Sequence, residues 1–482
     1  MLWILGLGIG GWQTAPAEYQ PIFHITGENP NSSIGYFISN CSDQNGDCSD
    51  ELLLASGDNE VLMFFSGENL DTIPDLIFSE TFGFIINLSY GDDIVSHDYG
   101  SILITYYNEW SRIYLYNCGS ELDTTSDMIF NNELYGDGFG GEISVGDING
   151  DGWNDMVTSA QAFDPGGDVD RGKIYVYYGG TDMDTIPDFT ITAANNDFGD
   201  RLGAGLAVGD VNGDEYADIL SMTSSPRTAW LFYGGTDMDS IADWSYSQYP
   251  AYLNTNAAVI PNLNGDQYAD ILIHDIIGNT LVFFGNDPPA DMPDQSFILG
   301  FPEIMGDLNN DGYGDFVGNT MTSLIIYHGS STGAINSGSI VTPSPPYGMG
   351  RCGNINGDGF DDIAYYSEEP FYYGQVGIYA DTTLNTVHYN PTLFASAFEL
   401  YQNYPNPFNS STAISFELKN KQKIELNVYN ILGKKIAELF NSEFEAGFHT
   451  IKWNAEGIPS GIYFIQLKCG EQKEIKKLLL IR

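Results

Sequence analysis

Asp147-Ile-Asn149-Gly-Asp151-Gly152-Trp-Asn-Asp155 decides the reading of this chain, because it returns as Asp307-Leu-Asn309-Asn-Asp311-Gly312-Tyr-Gly-Asp315. In both copies oxygen-bearing side chains fall at positions 1, 3, 5 and 9, and Gly stands at 6. A calcium ion takes about 6–8 hard oxygen ligands, and a short loop supplies them only if alternate side chains turn inward. Gly at position 6 permits the sharp turn that brings the ninth residue back toward the other three. An apolar run of strand length follows each copy.

Four more copies grade away from these two. Asp210, Asn212, Asp214 and Asp218 keep the ligand set, with Glu215 at the Gly position. Asn354, Asn356, Asp358 and Asp362 keep Gly359 and lose one carboxylate. Asn262, Asn264, Asp266 and Asp270 lose that charge and also the Gly, which is Gln267. The first copy, Asp43, Asn45, Asp47 and Glu51, has Cys48 there. Loss of ligand charge predicts weaker calcium binding in the degenerate copies. Asx-Gly runs also make tight turns without any metal, so the spacing alone leaves both readings open.

A second repeat interlocks with the first. Tyr178-Gly-Gly-Thr-Asp-Met-Asp-Thr-Ile-Pro-Asp188 recurs as Tyr233-Gly-Gly-Thr-Asp-Met-Asp-Ser-Ile-Ala-Asp243, with echoes at 67–75 and 119–127. The acidic loops start at 43, 147, 210, 262, 307 and 354, and the first gap, 104, is twice the 52 that separates the third and fourth. A unit without the acidic word therefore lies near Leu88–Asp98, which makes seven units. Units of about 40–60 residues with several short strands each point to a propeller.

One unit reads as strands at Glu142–Val145, Met156–Ser159, Lys173–Tyr178 and Asp188–Ile191, short β-branched and aromatic runs bounded by Gly, Asp and Asn. Pro21-Ile-Phe-His-Ile25 resembles the strand that opens each later unit. Paired into the last unit, it would close the ring and remove an exposed sheet edge. The predicted fold is all-β, a seven-bladed β-propeller over 18–388.

This region resembles the FG-GAP repeats of the integrin α-subunit head. The Phe-Gly element is Phe139-Gly140 and Phe198-Gly199, with Tyr347-Gly348 in the last unit, and the Gly-Ala-Pro element is eroded to Thr158-Ser-Ala160. The resemblance implies a calcium-loop face and places calcium ligands on the loop residues named above. The Glu, Gln and Cys at position 6 and the vacant second unit depart from the family pattern.

Composition marks a second region. Residues 398–482 carry 11 Lys+Arg and 9 acidic residues, whereas the preceding 397 carry 6 and 56. A linker is expected at 389–403 and a small Ig-like β-sandwich at 404–482, with strands at Ala413–Leu418, Ile424–Tyr429, His449–Trp453, Gly461–Leu467 and Lys476–Ile481. Tyr404-Pro-Asn-Pro-Phe-Asn409, Asn430-Ile-Leu-Gly433 and Pro459-Ser-Gly-Ile-Tyr-Phe464 make this tail similar to the C-terminal sorting domain of type IX secretion cargo. That resemblance implies export across the outer membrane of a Gram-negative bacterium, with type IX secretion machinery as a partner and removal of the tail at the surface. An Ig-like spacer is the plainer alternative.

The N-terminus agrees with export. Residues 2–12 form an apolar stretch too short to span a bilayer, and Ala15-Pro-Ala17 resembles a signal-peptide cleavage site, so 1–17 is read as a signal. No Lys or Arg precedes Arg112, as expected if the natural start lies upstream. Cys41 and Cys48 bracket the first acidic loop and are candidates for a disulfide, with Cys118, Cys352 and Cys469 expected as buried thiols.

No nucleophile–base motif or phosphate loop is present, and the six His show no metal-ligand spacing. The acidity of the propeller argues against nucleic acid and anionic membranes as partners. The expected function is a secreted or cell-surface, calcium-binding, non-catalytic adhesion module that takes an extracellular protein or glycan. The second reading is a secreted calcium-dependent polysaccharide lyase. It would require several of Arg112, Arg171, Lys173, Arg201, Arg227 and Arg351 to converge with Tyr side chains. The loop Gln161–Asp170 is a candidate contact surface, and Trp110, Trp153, Trp230 and Trp244 suit either sugar stacking or packing between blades.

Overall fold

The computed structural model describes residues 19–481 except 28–32, 45–48, 67–69, 81–82, 98, 108–109, 120–121, 167–169, 193–200, 225–226, 248–252, 276–277, 299–301, 321, 343–344, 369–373, 382–397, 401–402, 404, 407, 419–420, 431–433, 445–446, 456 and 470–471. The signal-peptide expectation (1–17), Cys48, Phe198-Gly199 and most of the expected linker lie outside them. The chain divides into two compact units, 1–387 and 388–482.

Strand runs in the first unit are short because Gly- and Asx-rich turns interrupt them every few residues. The third sheet is representative. Phe139–Gly146, Asp155–Ala160, Lys173–Tyr177 and Phe189–Thr192 pair in sequence order, each antiparallel to the next. Among the described residues the first unit holds seven such four-stranded sheets. Their first strands, Ile38–Cys41, Phe84–Gly91, Phe139–Gly146, Gly205–Gly209, Leu253–Pro261, Pro302–Gly306 and Gly348–Arg351, lie side by side in a cycle, the last against the first. The sheets are therefore blades radiating from a centre. Phe189–Thr192, read from sequence as opening the next unit, is the outer strand of its own sheet.

The N-terminal strand closes the cycle. Tyr19–Thr26 is the outermost strand of the last sheet, with Phe23 opposite Ile378 and Ile25 opposite Val376. That pairing satisfies the backbone groups of the Gln375–Asp381 strand and leaves that sheet's outer edge to a strand from the opposite chain end.

Second strands are buried on both faces, as in Leu52–Ala55, Ile102–Ile104 and Ile271–Ile273. They read as continuous apolar runs because neighbouring blades cover each side. Leu103, Ile113 and Phe130 of the second blade share a cluster with Phe139, Met156 and Tyr175 of the third. Ile174 and Val176 of the third pack with Leu206, Ile219 and Phe232 of the fourth. A Leu→Ala change at such a position typically costs about 2–5 kcal/mol.

Cys41, a candidate for a bridge to Cys48, is a buried free thiol with Cys118 as a neighbour, and Cys48 lies outside the described residues. Cys41 ends its strand within the apolar cluster shared with the neighbouring blade.

In the second unit, Phe398–Leu400, Ser411–Leu418 and Gly447–Asn454 form one sheet. Lys435–Phe444, Gln422–Asn430, Gly461–Cys469 and Gln472–Leu480 form the other. Ile414, Phe416, Leu426, Val428, Trp453 and Ile465 fill the space between. The Pro-Asn-Pro run has a structural job. Asn406 donates from Nδ2 to the Lys477 carbonyl (3.1 Å) and accepts the Leu479 N–H (2.8 Å), so its amide imitates a strand peptide. Lys435–Phe444 was not expected from sequence, because Ile436, Ala437, Leu439 and Phe440 suit a helical period as well as a strand.

Candidate metal-binding loops and their relatives

Each acidic loop joins the first and second strand of its blade, and five of the six are described well enough to compare. In the 147 loop, Asp147 Oδ1 accepts the N–H of Gly150 (2.7 Å) and Asp151 (3.1 Å), and Oδ2 accepts that of Gly152 (2.9 Å). Asn149 accepts the Asp151 N–H (2.8 Å) and donates its amide to Asp151 Oδ2 (3.0 Å). Asp151 Oδ1 accepts the Trp153 N–H (2.9 Å). The 210 loop repeats this through Asp210, Asn212 and Asp214, and the 307 loop through Asp307, Asn309 and Asp311. Asn354, Asn356 and Asp358 follow the pattern, as do Asn262, Asn264 and Asp266. Positions 1, 3 and 5 are thus brought together in all five, folded inward over the loop's own N–H groups.

The ninth residue has a different place. Asp155, Asp218, Asp270 and Asp315 are fully buried, as is Glu51 in the first loop. Asp155 accepts the Ile148 N–H of its own loop (2.8 Å) and the Gly179 N–H of the second repeat (2.8 Å). Asp218 does the same with Val211 and Gly234, Asp270 with Leu263 and Gly285, and Asp315 with Leu308 and Gly329. The interlocking repeats of the sequence are therefore physically tied by this carboxylate. Gly234 is needed there because a Cβ would sit 2.3 Å from the Ala217 carbonyl oxygen. Asp43 is described, whereas Asn45 and Asp47 lie outside the described residues.

Burial dominates the electrostatics. It pushes the carboxyls of Asp155, Asp218 and Asp270 up to about 7 and that of Asp315 up to about 8. The backbone N–H donors oppose the rise, and the neighbouring loop carboxylates add to it. Among the described residues no basic side chain pairs with the carboxylates of the 147, 210 and 307 loops. Nor do three His, Cys, Asp or Glu side chains converge as a ready-made ligand group. Each loop instead offers a mixed set of carboxylate and Asn amide oxygens, which as donor chemistry fits a hard dication such as calcium and no soft metal.

Position 6 confirms why Gly was expected. Gly152, Gly312 and Gly359 have φ of 89°, 87° and 92°, and Glu215 and Gln267 are held at 74° and 77°. The degenerate loops keep the same turn and bear the strain of a side chain in the left-handed region.

The sequence missed a second carboxylate set. Asp75, Asp127, Asp188, Asp243 and Asp294 each accept the N–H ten residues earlier, at 2.7–2.9 Å. These bonds close the turns that follow each third strand, and the Asp ending each Thr-Asp-Met-Asp repeat was the available signal. The turns leave an apolar side chain outward at one equivalent position: Ile73, Ile186, Ile241 and Met292 are 45%, 69%, 72% and 71% exposed. Beside the 210 loop, an open cavity of about 310 Å³ is lined by Asp214, Tyr216, Tyr233, Asp237, Asp239 and Asp243.

Three of the basic residues lie along one seam, where the Arg201 N–H donates to the Asp170 carbonyl (3.0 Å), the Leu202 N–H donates to the Arg171 carbonyl (2.9 Å) and the Lys173 ammonium sits 4.5 Å over the Tyr175 ring. Lys173 pairs with Glu133 (2.6 Å), Arg201 pairs with Asp170 of the Gln161–Asp170 loop (2.7 Å), and Arg351 lies near Asp50 and Asp361. Trp244 packs on Tyr246 and Phe283, and Trp153 stacks on His97 at 3.7 Å. Trp110 is 45% exposed, edge-on to Tyr135.

Residues 139–177 match the FG-GAP repeat family, and residues 402–481 match the secretion system C-terminal sorting domain. A stretch of 181 residues (34% of this chain) is 27% identical to "Integrin alpha-5" of Xenopus laevis, covering 17% of it. Another of 164 residues (32% of this chain) is 32% identical to "Integrin alpha-6" of Homo sapiens, covering 14% of it. The chain thus spans less than a fifth of either relative. Among solved structures, the BP39L lectin from Burkholderia pseudomallei aligns at a TM-score of 0.51 and 11% identity, over 74% of this chain and 97% of that one. At that identity the likeness speaks to fold alone. The sorting tail marks the chain for export by type IX secretion in Gram-negative bacteria, and no helix among the described residues is long and apolar enough to cross a membrane.

Proposed function

We propose that this chain is an exported adhesion module, a seven-bladed propeller whose acidic loops take up calcium and whose loop-bearing face binds an extracellular protein or glycan without turning it over. The observation that carries the calcium reading is the deep carboxylate of each loop, Asp155, Asp218, Asp270 or Asp315. It is buried, pairs with no basic side chain among the described residues, and is held above the ordinary carboxylate range. A dication is the natural counter-charge for a desolvated carboxylate ringed by further oxygens.

In this reading positions 1, 3, 5 and 9 of the 147, 210 and 307 loops hold an ion. The 262, 354 and 43 loops hold one more weakly, for want of charge. Calcium supplies positive charge and no reaction step. The chain's own residues do the rest. Asp155 and its equivalents tie the loop to the following turn, and that turn carries the outward Ile186, Ile241 or Met292. The non-catalytic reading is supported by Lys173 and Arg201 already being paired with carboxylates.

The test is a glycan and extracellular-matrix array probed with the full chain, with calcium and with chelator, beside an assay for uronic-acid cleavage. Calcium-dependent retention without cleavage is expected. Unsaturated uronate products that vanish with Arg201→Ala would overturn the adhesion reading.

A further inference from the structure

Cys41 and Cys118 come from different blades and meet at one seam. Cys41 ends the innermost strand of the first blade, Ile38–Cys41, and Cys118 follows the third strand of the second, Ser111–Asn117. They are 0% and 4% exposed and share one apolar cluster with Met63, Phe78 and Tyr116, and the neighbouring Cys118 pushes the Cys41 thiol up. Both carrying segments are fixed. The Cys118 N–H donates to the Gly100 carbonyl (2.9 Å), and the next residue, Gly119, donates its N–H to Gln44 Oε1 (2.7 Å). Ser42 in turn shares a 2.6 Å hydrogen bond with the Tyr90 hydroxyl.

The seam is where the repeat pattern is broken. The second unit lacks the acidic word, and there the Asp93 carboxylate lies 3.5 Å from His97 while its carbonyl accepts the Asn154 N–H (3.0 Å). The sorting tail sends the chain to compartments where disulfides form and persist. We propose that Cys41 and Cys118 are joined by a disulfide in the exported protein, stapling the first blade to the second where the second unit lacks its loop.

The oxidant is an external disulfide, supplied by a thiol–disulfide exchange protein or a small disulfide. One cysteine thiolate attacks it, forming a mixed disulfide and releasing one thiol. The other cysteine then attacks the mixed disulfide, forming the Cys41–Cys118 bond and releasing the second thiol. Two S–H bonds and one S–S bond of the donor are exchanged for one S–S bond here and two donor S–H bonds. The neighbouring Cys118, and then burial, hold the Cys41 thiol protonated once the blades have closed. The exchange therefore belongs to folding, before the seam seals, and the finished bond is shielded from reductant.

The test uses the full chain purified from its host without reductant, unfolded, alkylated and digested. Trypsin cuts after Arg112, the first basic residue, which leaves Cys41 and Cys48 on one fragment and Cys118 on the next, 113–171. The two fragments should run as one species that reductant splits, with the mass two hydrogens short of their sum. Digestion before Asp43 and Asp47 then separates Cys41 from Cys48, and the link should stay with Cys41. Reductant in the melting scan should lower the midpoint by several degrees, and should not move that of the Cys41→Ser, Cys118→Ser double variant. Alkylation of both thiols without reduction, a link that follows Cys48, or a melting midpoint blind to reductant would each overturn the proposal.

Discussion

The N–H of Ala217 donates to the carbonyl oxygen of Asp147 at 2.8 Å, hanging the end of one acidic loop on the first residue of the loop before it. The same bond runs from Ala269 to Asp210 (2.8 Å) and from Gly314 to Asn262 (3.2 Å). A second rung lies beside it, from Gly235 to Ile148 and from Ser330 to Leu263. The loops therefore form a chain around the ring in which each fixes its neighbour's geometry. Order gained at one loop by binding an ion reaches the next through its first residue, so the sites are expected to fill with positive cooperativity.

Calcium titration of the full chain should show uptake of several ions with a rise in melting temperature, because a ligand that binds only the folded state stabilises it by mass action. Asp151→Ala and Asp311→Ala should each remove about one site, since each deletes a carboxylate of the ring formed with Asn149 or Asn309. Calorimetry without heat at millimolar calcium would dismiss the loops as plain Asx turns.

Glu215 gives a cleaner measure of the turn itself. At φ 74° it occupies the conformation that Gly152 and Gly312 take at no steric cost. Glu215→Gly should raise stability by about 1 kcal/mol from relief of the left-handed strain, and Gly312→Ala should lower it by a similar amount. Space is not the issue at Gly312, where a Cβ would meet nothing within 4 Å. Denaturant midpoints of the two variants moving in the same direction would show that the backbone conformation is not what Gly supplies there.

Most of this architecture was legible because its signals are local. Spacing of oxygen residues, Gly at position 6 and period-2 apolar runs are set by a few residues at a time, and each repeats. The closure by Tyr19–Thr26 was legible for the same reason, since the first strand resembles the outer strands of the later units. What the sequence could not give was anything fixed by contact between distant residues. Cys41 has Cys118 of the next blade as a neighbour, and the double duty of Asp155 depends on Gly179, 24 residues away. Lys435–Phe444 escaped because its apolar spacing suits two periods and only its pairing with Gln422–Asn430 decides between them.

The buried carboxylates give the metal-free protein an unusual pH response. Asp155, Asp218 and Asp270 titrate near 7 and Asp315 near 8 when folded, against about 4 in the unfolded chain. Between those values the folded state holds protons that the unfolded state has released, so stability falls as pH rises from about 4 to about 8. Calcium requires the ionised carboxylates, so its contribution grows over the same window. Melting in chelator should therefore be higher at about pH 5 than at about pH 8, and added calcium should raise the midpoint far more at the higher pH. A chelated protein whose midpoint is flat across this range would contradict the burial-driven shifts.

Gly234 tests whether the two repeats act as one unit. Its N–H reaches Asp218 Oδ1 at 3.0 Å, and a Cβ there would press against the Ala217 carbonyl, a backbone atom that cannot swing aside. Gly234→Ala should cost about 1–3 kcal/mol, the usual penalty of overpacking, and should weaken the ion site of the 210 loop as Asp218 is displaced. Calcium stoichiometry one lower at unchanged Asp content would confirm the link, while a stability loss with full calcium uptake would confine Asp218 to a packing role.

Removal of residues 398–482 separates export from folding. The tail has its own apolar core of Ile414, Phe416, Trp453 and Ile465, and the last propeller sheet takes its outer strand from Tyr19–Thr26. The truncated chain should therefore fold, melt with the calcium dependence of the parent, and collect in the periplasm instead of at the surface. Asn406→Ala should give a milder version of the same defect, because loss of its bonds to Lys477 and Leu479 loosens the tail. Fractionation with surface proteolysis measures both. Surface display of the truncated chain at parental levels would reduce the tail to a spacer.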